Sequence, residues 1–204
     1  MAGRARLIYL LRHGEVVGAE TRRFIGQLDV PLSSRGERQC RAQAARLRDA
    51  KLAAVFCSDL ARARHSAQII AAPHALSPIV VPALREMAMG RWDGLTADEI
   101  RSREPRAFAE WMSRVGEFPF PEGESVPDLA ARAVPAFEAI AAAHAGQAIA
   151  VVAHGGTNRA LLCHAFGLPL GRLLVFGQDY GALTVLQADA RGWALRRLNE
   201  SPML

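Results

Sequence analysis

Residues 147–156 read QAIAVVAHGG: Gln147 introduces the apolar run Ala148 to Ala153, and His154, Gly155 and Gly156 end it. A short apolar run bounded by turn residues reads as a strand buried on both faces, which belongs at the centre of a sheet. The glycines turn the chain into a helix through about Phe166. Arg6 to Leu11, near the start, has the same texture and also runs into a charged pair, Arg12-His13.

Between these two strands the pattern alternates. Ser34, with Glu37 three residues on, reads as a capping box for a helix through about Ala50. Ala54 to Cys57 is a short buried strand ending at Ser58-Asp59, a helix follows from Leu60 to about Ala72, and Val80 and Val81 belong to a brief strand. Strands alternating with helices predict a three-layer α/β/α fold around a mostly parallel central sheet. The rhythm breaks from Met87 to Pro127, where Gly and Pro punctuate two short helical pieces, the first capped by Thr96 with Glu99. That segment, about 87–127, is expected to be a helical lid insertion within one domain spanning 1–204. Leu129, Ala133, Phe137 and Ile140 recur at helical spacing up to Gly146, with Pro135 expected to bend the helix. Ala182 to Leu186 and Trp193 to Leu198 close the chain as a pair of strands. The former is read as a sheet edge available to a second copy, so a homodimer stays open while the oligomeric state is otherwise not readable.

Composition narrows the class. The 204 residues are 50% hydrophobic and 22% charged, enough apolar content to offset the entropy of ordering, which excludes a disordered or collagen-like chain. No apolar run approaches the ~20 residues of a membrane span, and Leu7 to Leu11, after Arg4 and Arg6, is too short for a signal sequence. A cytoplasmic protein with no membrane partner is expected. Cys40, Cys57 and Cys163 are scattered and lack C-x-x-C spacing, so they read as buried thiols rather than a disulfide framework or zinc site. The net charge of +5 rests on arginine, Lys51 being the only lysine. An anionic ligand and a coding bias toward Arg explain this equally well. Nucleic acid is disfavoured, because no basic run is interleaved with stacking aromatics.

Three segments place titratable residues at strand ends, the usual ligand crevice of an open α/β sheet. Arg12-His13-Gly14-Glu15 follows the first strand. Ser58-Asp59-Leu60-Ala61-Arg62-Ala63 puts Arg62 in a first helical turn, off the face of Leu60, Ala63, Ala67 and Ile70, where by itself it reads as solvated. Ala153-His154-Gly155-Gly156 delivers a histidine to a helix start, whose outward N–H groups favour an anion. Two histidines and two arginines converging there would surround a phosphate dianion with no metal required.

In this order the segments resemble the histidine phosphatase superfamily, the phosphoglycerate-mutase-like fold, over nearly the whole chain. The resemblance is carried by Leu11-Arg12-His13-Gly14-Glu15, Gly26 to Ser33 with Gly36, Ser58 to Ala63, Leu84-Arg85-Glu86 with Gly90, Trp92 and Gly94, Gly123-Glu124-Ser125, and Ala153 to Gly156. It implies a phosphomonoester hydrolase with no metal or cofactor. His13 would be the nucleophile that forms a phosphohistidine, its second nitrogen donating to a backbone carbonyl. Arg12, Arg62 and His154 would hold the phosphoryl oxygens, and Glu86 would act as acid and then base. Glu15 and Asp59 read as structural ion pairs, Asp29 with Pro31 as a turn. Trp92, Trp111 and Phe118 suit a substrate cavity and core packing equally.

Bisphosphoglycerate-dependent mutases, the alternative activity, carry an Asn, a Tyr and a lid lysine where this chain has Ala19, Met89 and Ala97. The missing amide leaves one phosphate donor to come from Gln27, beside Gly26, or from the Gly155 backbone. The branch resembled most is that of small bacterial phosphatases around α-ribazole phosphatase. The expected partner is therefore a small phosphorylated metabolite, with α-ribazole 5'-phosphate one option.

Overall fold

Six strands form one sheet: β1 (Arg6–Arg12), β2 (Leu52–Cys57), β3 (Ile79–Val80), β4 (Ala148–Ala153), β5 (Leu183–Asp189) and β6 (Gly192–Glu200), in the order β3-β2-β4-β1-β5-β6. These come from a computed structural model describing residues 5–204, so Arg4 lies outside them. The apolar run that opened the reading is β4, flanked in parallel by β1 and β2. β3 is parallel to β2, while β5 is antiparallel to both its neighbours.

Successive side chains of a strand point to opposite faces, and both faces of this sheet are covered. Ile149, Val151 and Ala153 join Ile8 and Leu10 in a core closed by α5 (Val126–Ala143) and α6 (Gly155–Ala165). Ala150 and Val152 join Leu11 and Val55 against α1 (Ser34–Leu47) and α2 (Ala61–Ala71). The result is the three-layer α/β/α arrangement, with each fully buried aliphatic side chain contributing about 1.5–3 kcal/mol. Leu129, Ala133 and Phe137 form the buried stripe of α5, which continues through Pro135. All three cysteines are free and buried.

Some local expectations shift. The first helix is capped by Ser33, whose Oγ accepts from Gly36 N at 3.1 Å, and not by Ser34; Glu37 pairs with Arg41 instead of closing a box. Adjacent serines offer the same chemistry, and the choice falls to the one with extended backbone. Ala182 to Leu186 is not a free edge, because β5 lies between β1 and β6; the edge is β6, which faces solvent with charged residues such as Arg196 and Arg197. Asp29 does more than shape a turn: its Oδ1 accepts from Ala61 N at 2.7 Å and so caps α2. Glu15 and Asp59 do form ion pairs, with Arg35 and Arg85.

Between Glu86 and Ser125 lie α3 (Ala97–Arg103) and α4 (Pro105–Ser113), and Thr96 with Glu99 forms the expected capping box. They pack on a fully buried Trp92, ringed by Trp111, Phe108, Phe118 and Phe120 with centroids 5.3–6.3 Å away. Among the described residues no helix is long and apolar enough to cross a membrane.

Candidate active site

Sheet register brings the two histidines together. Arg12 is level with Ala153 across β1 and β4, and His13 N donates to Ala153 O at 3.1 Å, so the next residues emerge side by side. Their rings lie 5.1 Å apart. Ser58 leaves the end of β2 at the same level, its N–H on Val152 O at 3.3 Å.

Hydrogen-bond satisfaction fixes both tautomers. His13 Nδ1 is 2.8 Å from Gly14 O, a carbonyl that can only accept, so Nδ1 carries the proton and Nε2 keeps a lone pair. Arg62 Nε reaches that lone pair at 3.3 Å. Burial, then Arg62 and Arg12, holds the His13 pKa well below the usual histidine value, and the ring is neutral at pH 7. His154 Nε2 lies 2.6 Å from Ser58 Oγ, both residues fully buried. Ser58 Oγ also accepts from Leu60 N, and His154 Nε2 is the acceptor within reach of its O–H. Since a buried hydroxyl donates where it can, Nε2 accepts and the His154 proton sits on Nδ1, which is buried without a partner among the described residues. Burial and then His13 hold this ring neutral as well.

The positive charge is concentrated. Arg12 donates to Gln178 O at 2.5 Å and stacks on Tyr180, its guanidinium carbon 3.8 Å from the ring centroid. Arg62, expected from periodicity to be solvated, is 1% exposed: it spans to Gly26 O and Leu28 O, both at 2.6 Å. The left-handed turn at Gly26 (φ 48°) aims that carbonyl, and a Cβ there would strike Asp93. Arg159 is held by Phe176 O and sits beside Arg12 across Gly155. Among the described residues, none of these three arginines forms an ion pair with a carboxylate. Burial lowers the pKa of each, and Arg12 further depresses Arg62 and Arg159.

Glu86 occupies the start of α6. Its Oε2 accepts from Gly156 N at 2.9 Å, and Oε1 from Thr157 N at 3.1 Å, Thr157 Oγ1 at 3.3 Å and Met87 N at 2.9 Å. A Cβ on Gly156 would come within 2.6 Å of Oε1, so this seat needs glycine. The helix N-terminus expected to receive the ligand therefore holds the protein's own carboxyl group, leaving Gly155 as its open first residue.

Most of these groups line one cavity of about 310 Å³, bounded by Arg12, His13, Arg62, Glu86, Gly26 and Gly155, with the buried His154 ring beside that of His13. Gln27 and Trp92 do not line it. Gln27 donates to Glu86 O and accepts from Arg85, and Trp92 belongs wholly to the aromatic core. Arg159, Tyr180, Arg22 and Arg23 line the cavity without having been singled out. Arg159 was findable, lying one helical turn after Gly155 on the same face. Tyr180 sits in a loop before β5 with no local signal. No group of three or more His, Cys, Asp or Glu among the described residues is placed to hold a metal ion.

Comparison with known proteins agrees over most of the chain. The family model described as the histidine phosphatase superfamily (branch 1) matches residues 8–201. Phosphoserine phosphatase 1 of Hydrogenobacter thermophilus is 29% identical over 192 residues, 94% of this chain and 91% of that one. A probable phosphoglycerate mutase of Serratia proteamaculans is 34% identical over 162 residues, 79% of this chain and 75% of that one. The solved structure of a putative alpha-ribazole-5'-P phosphatase from Escherichia coli superposes with a TM-score of 0.89 at 24% identity, covering 98% and 99% of the two chains.

Proposed function

Because this chain belongs to the histidine phosphatase superfamily, we propose that it hydrolyses the phosphomonoester of a small phosphorylated metabolite through a phosphohistidine on His13. The observation that carries the reading is the unprotonated Nε2 of His13, set by the Nδ1 contact to Gly14 O. That atom attacks phosphorus, the Nε2–P bond forms as the P–O bond breaks, and the Glu86 carboxyl gives its proton to the leaving oxygen. Water then attacks phosphorus, Glu86 takes the water's proton, and the Nε2–P bond breaks to restore the imidazole and release phosphate.

Arg12 and Arg62 stabilise the equatorial oxygens, and His154 Nδ1–H donates to the same group. The guanidinium groups supply the positive charge a metal would bring, so turnover is metal-independent and survives EDTA. Cysteine oxidation and disulfide chemistry take no part, and the protein works in the cytoplasm as the single domain read from the sequence. α-Ribazole 5'-phosphate is one candidate substrate, drawn from the resemblance of the sequence motifs to that branch. Against the mutase alternative, Met89 lines the cavity where a mutase would present a tyrosine, and Ala19 supplies no side-chain amide.

The test is rapid quench with a 32P-labelled phosphomonoester under alkaline denaturation. Label is expected on His13, and His13→Ala should lose both label and turnover. Full activity in His13→Ala defeats the proposal.

A further inference from the structure

The cavity is chemically two-sided. Its inner end carries His13, the arginines and Glu86; its outer wall is Phe24, Met89, Trp111, Phe120, Val126 and Leu174. These six side chains come from five separate stretches of chain, so the wall is assembled by the fold and is not the face of one helix. Trp92 and Phe118 pack behind it. The wall also continues outward: Leu174, at the mouth, is 61% exposed.

Resting on the phosphohistidine reading above, we infer that the leaving group this site accepts is an apolar or aromatic body rather than a small carboxylate-bearing one such as serine or glycerate. A carboxylate two or three bonds from the phosphate ester would lie against this wall, out of the water that surrounds Arg22 and Arg23, which line the cavity but are exposed. Arg23 is already engaged by Gly94 O and Glu99, and Arg159 is held through Nε by Phe176 O beside Arg12, at the phosphate end. A desolvated carboxylate without its own donor is costly to bury. An apolar group there gains what any buried methylene gains, and the exposed Leu174 lets a chain longer than the cavity keep its contact.

The discriminating experiment uses n-alkyl phosphates from ethyl to hexyl, whose leaving groups are similarly basic, alongside phosphoserine and 3-phosphoglycerate. kcat/KM is expected to rise about fourfold per added methylene until the wall is filled, and hexyl phosphate should exceed phosphoserine by about 100-fold. Trp111→Ala should lower the hexyl-to-ethyl ratio. Leu174→Asn, at an exposed position that does not threaten folding, should lower it too. A flat series, or phosphoserine turned over better than hexyl phosphate in a His13-dependent reaction, overturns the inference and leaves the phosphatase reading standing. Failure to hydrolyse any of these esters or p-nitrophenyl phosphate overturns the phosphatase reading, and the inference with it.

Discussion

Ser58→Ala tests the tautomer logic of the site directly. The hydroxyl is fully buried, lies 2.6 Å from His154 Nε2, and is what places the His154 proton on Nδ1. Removing it leaves a buried ring nitrogen without a partner, a cost of about 1–3 kcal/mol. At roughly 2–4 °C per kcal/mol for a domain of this size, Tm should fall by about 2–12 °C. Activity should suffer beyond stability. If the proton migrates to Nε2, a lone pair replaces the donor that faces the phosphoryl group, and loss of one such donor costs about 10²–10³ in kcat. Steady-state kinetics well below the variant's Tm give the rate. The 15N chemical shifts of labelled histidine give the tautomer: in the native protein Nδ1 should be protonated and Nε2 bare, and the variant should lose that distribution. A native His154 protonated on Nε2, or a Ser58→Ala variant keeping kcat within threefold, refutes the reasoning.

Glu86→Gln should slow alkyl phosphates by about 10²–10⁴ and p-nitrophenyl phosphate much less, because the latter's leaving group needs no proton; equal slowing of both would remove Glu86 from acid catalysis. Burial pushes Asp93 from 3.8 up to about 6, its Oδ1 lacking a partner among the described residues. The folded state therefore holds a proton the unfolded chain has lost, and stability declines as pH rises from about 4 to about 6. Asp93→Asn should accordingly raise Tm at pH 7.5 and leave it unchanged at pH 3.5, as thermal melts across that range would reveal. Inorganic phosphate at 100 times its Kd should stabilise the protein by about 2.7 kcal/mol, and Arg62→Met should lose most of that gain in the same melts.

Much of the architecture was legible because it is local. The runs of β1 and β4 and the spacing of Leu129, Ala133 and Phe137 announce buried strands and a helix stripe, while the sheet order that sets β1 beside β4 brings the residues after them together. Arg62 shows where this stops. Its helix position predicts solvent, but the loop carrying Gly26 and Leu28 folds over it and offers two carbonyls, an arrangement set by contacts more than thirty residues away in sequence. Trp92 shows the reverse: its register beside Gly90 and Gly94 was visible, while its burial away from the cavity depends on aromatics from α4 and from the loop after it. The edge assigned to Ala182–Leu186 failed for a topological reason, since a strand's pattern does not say how many partners it has. Glu86 was legible as an acid, but its seat on α6 was not, because that contact spans seventy residues.

That seat has a mechanical consequence. Glu86 is the last residue before the insertion, yet its side chain is moored to the helix that follows His154, and its carbonyl accepts from Gln27 and Arg132. Acid and imidazole thus ride on one rigid frame. Any rearrangement that the aromatic cap undergoes to admit or release a ligand begins downstream of this anchorage, so the spacing of the reacting groups is preserved while the doorway changes shape.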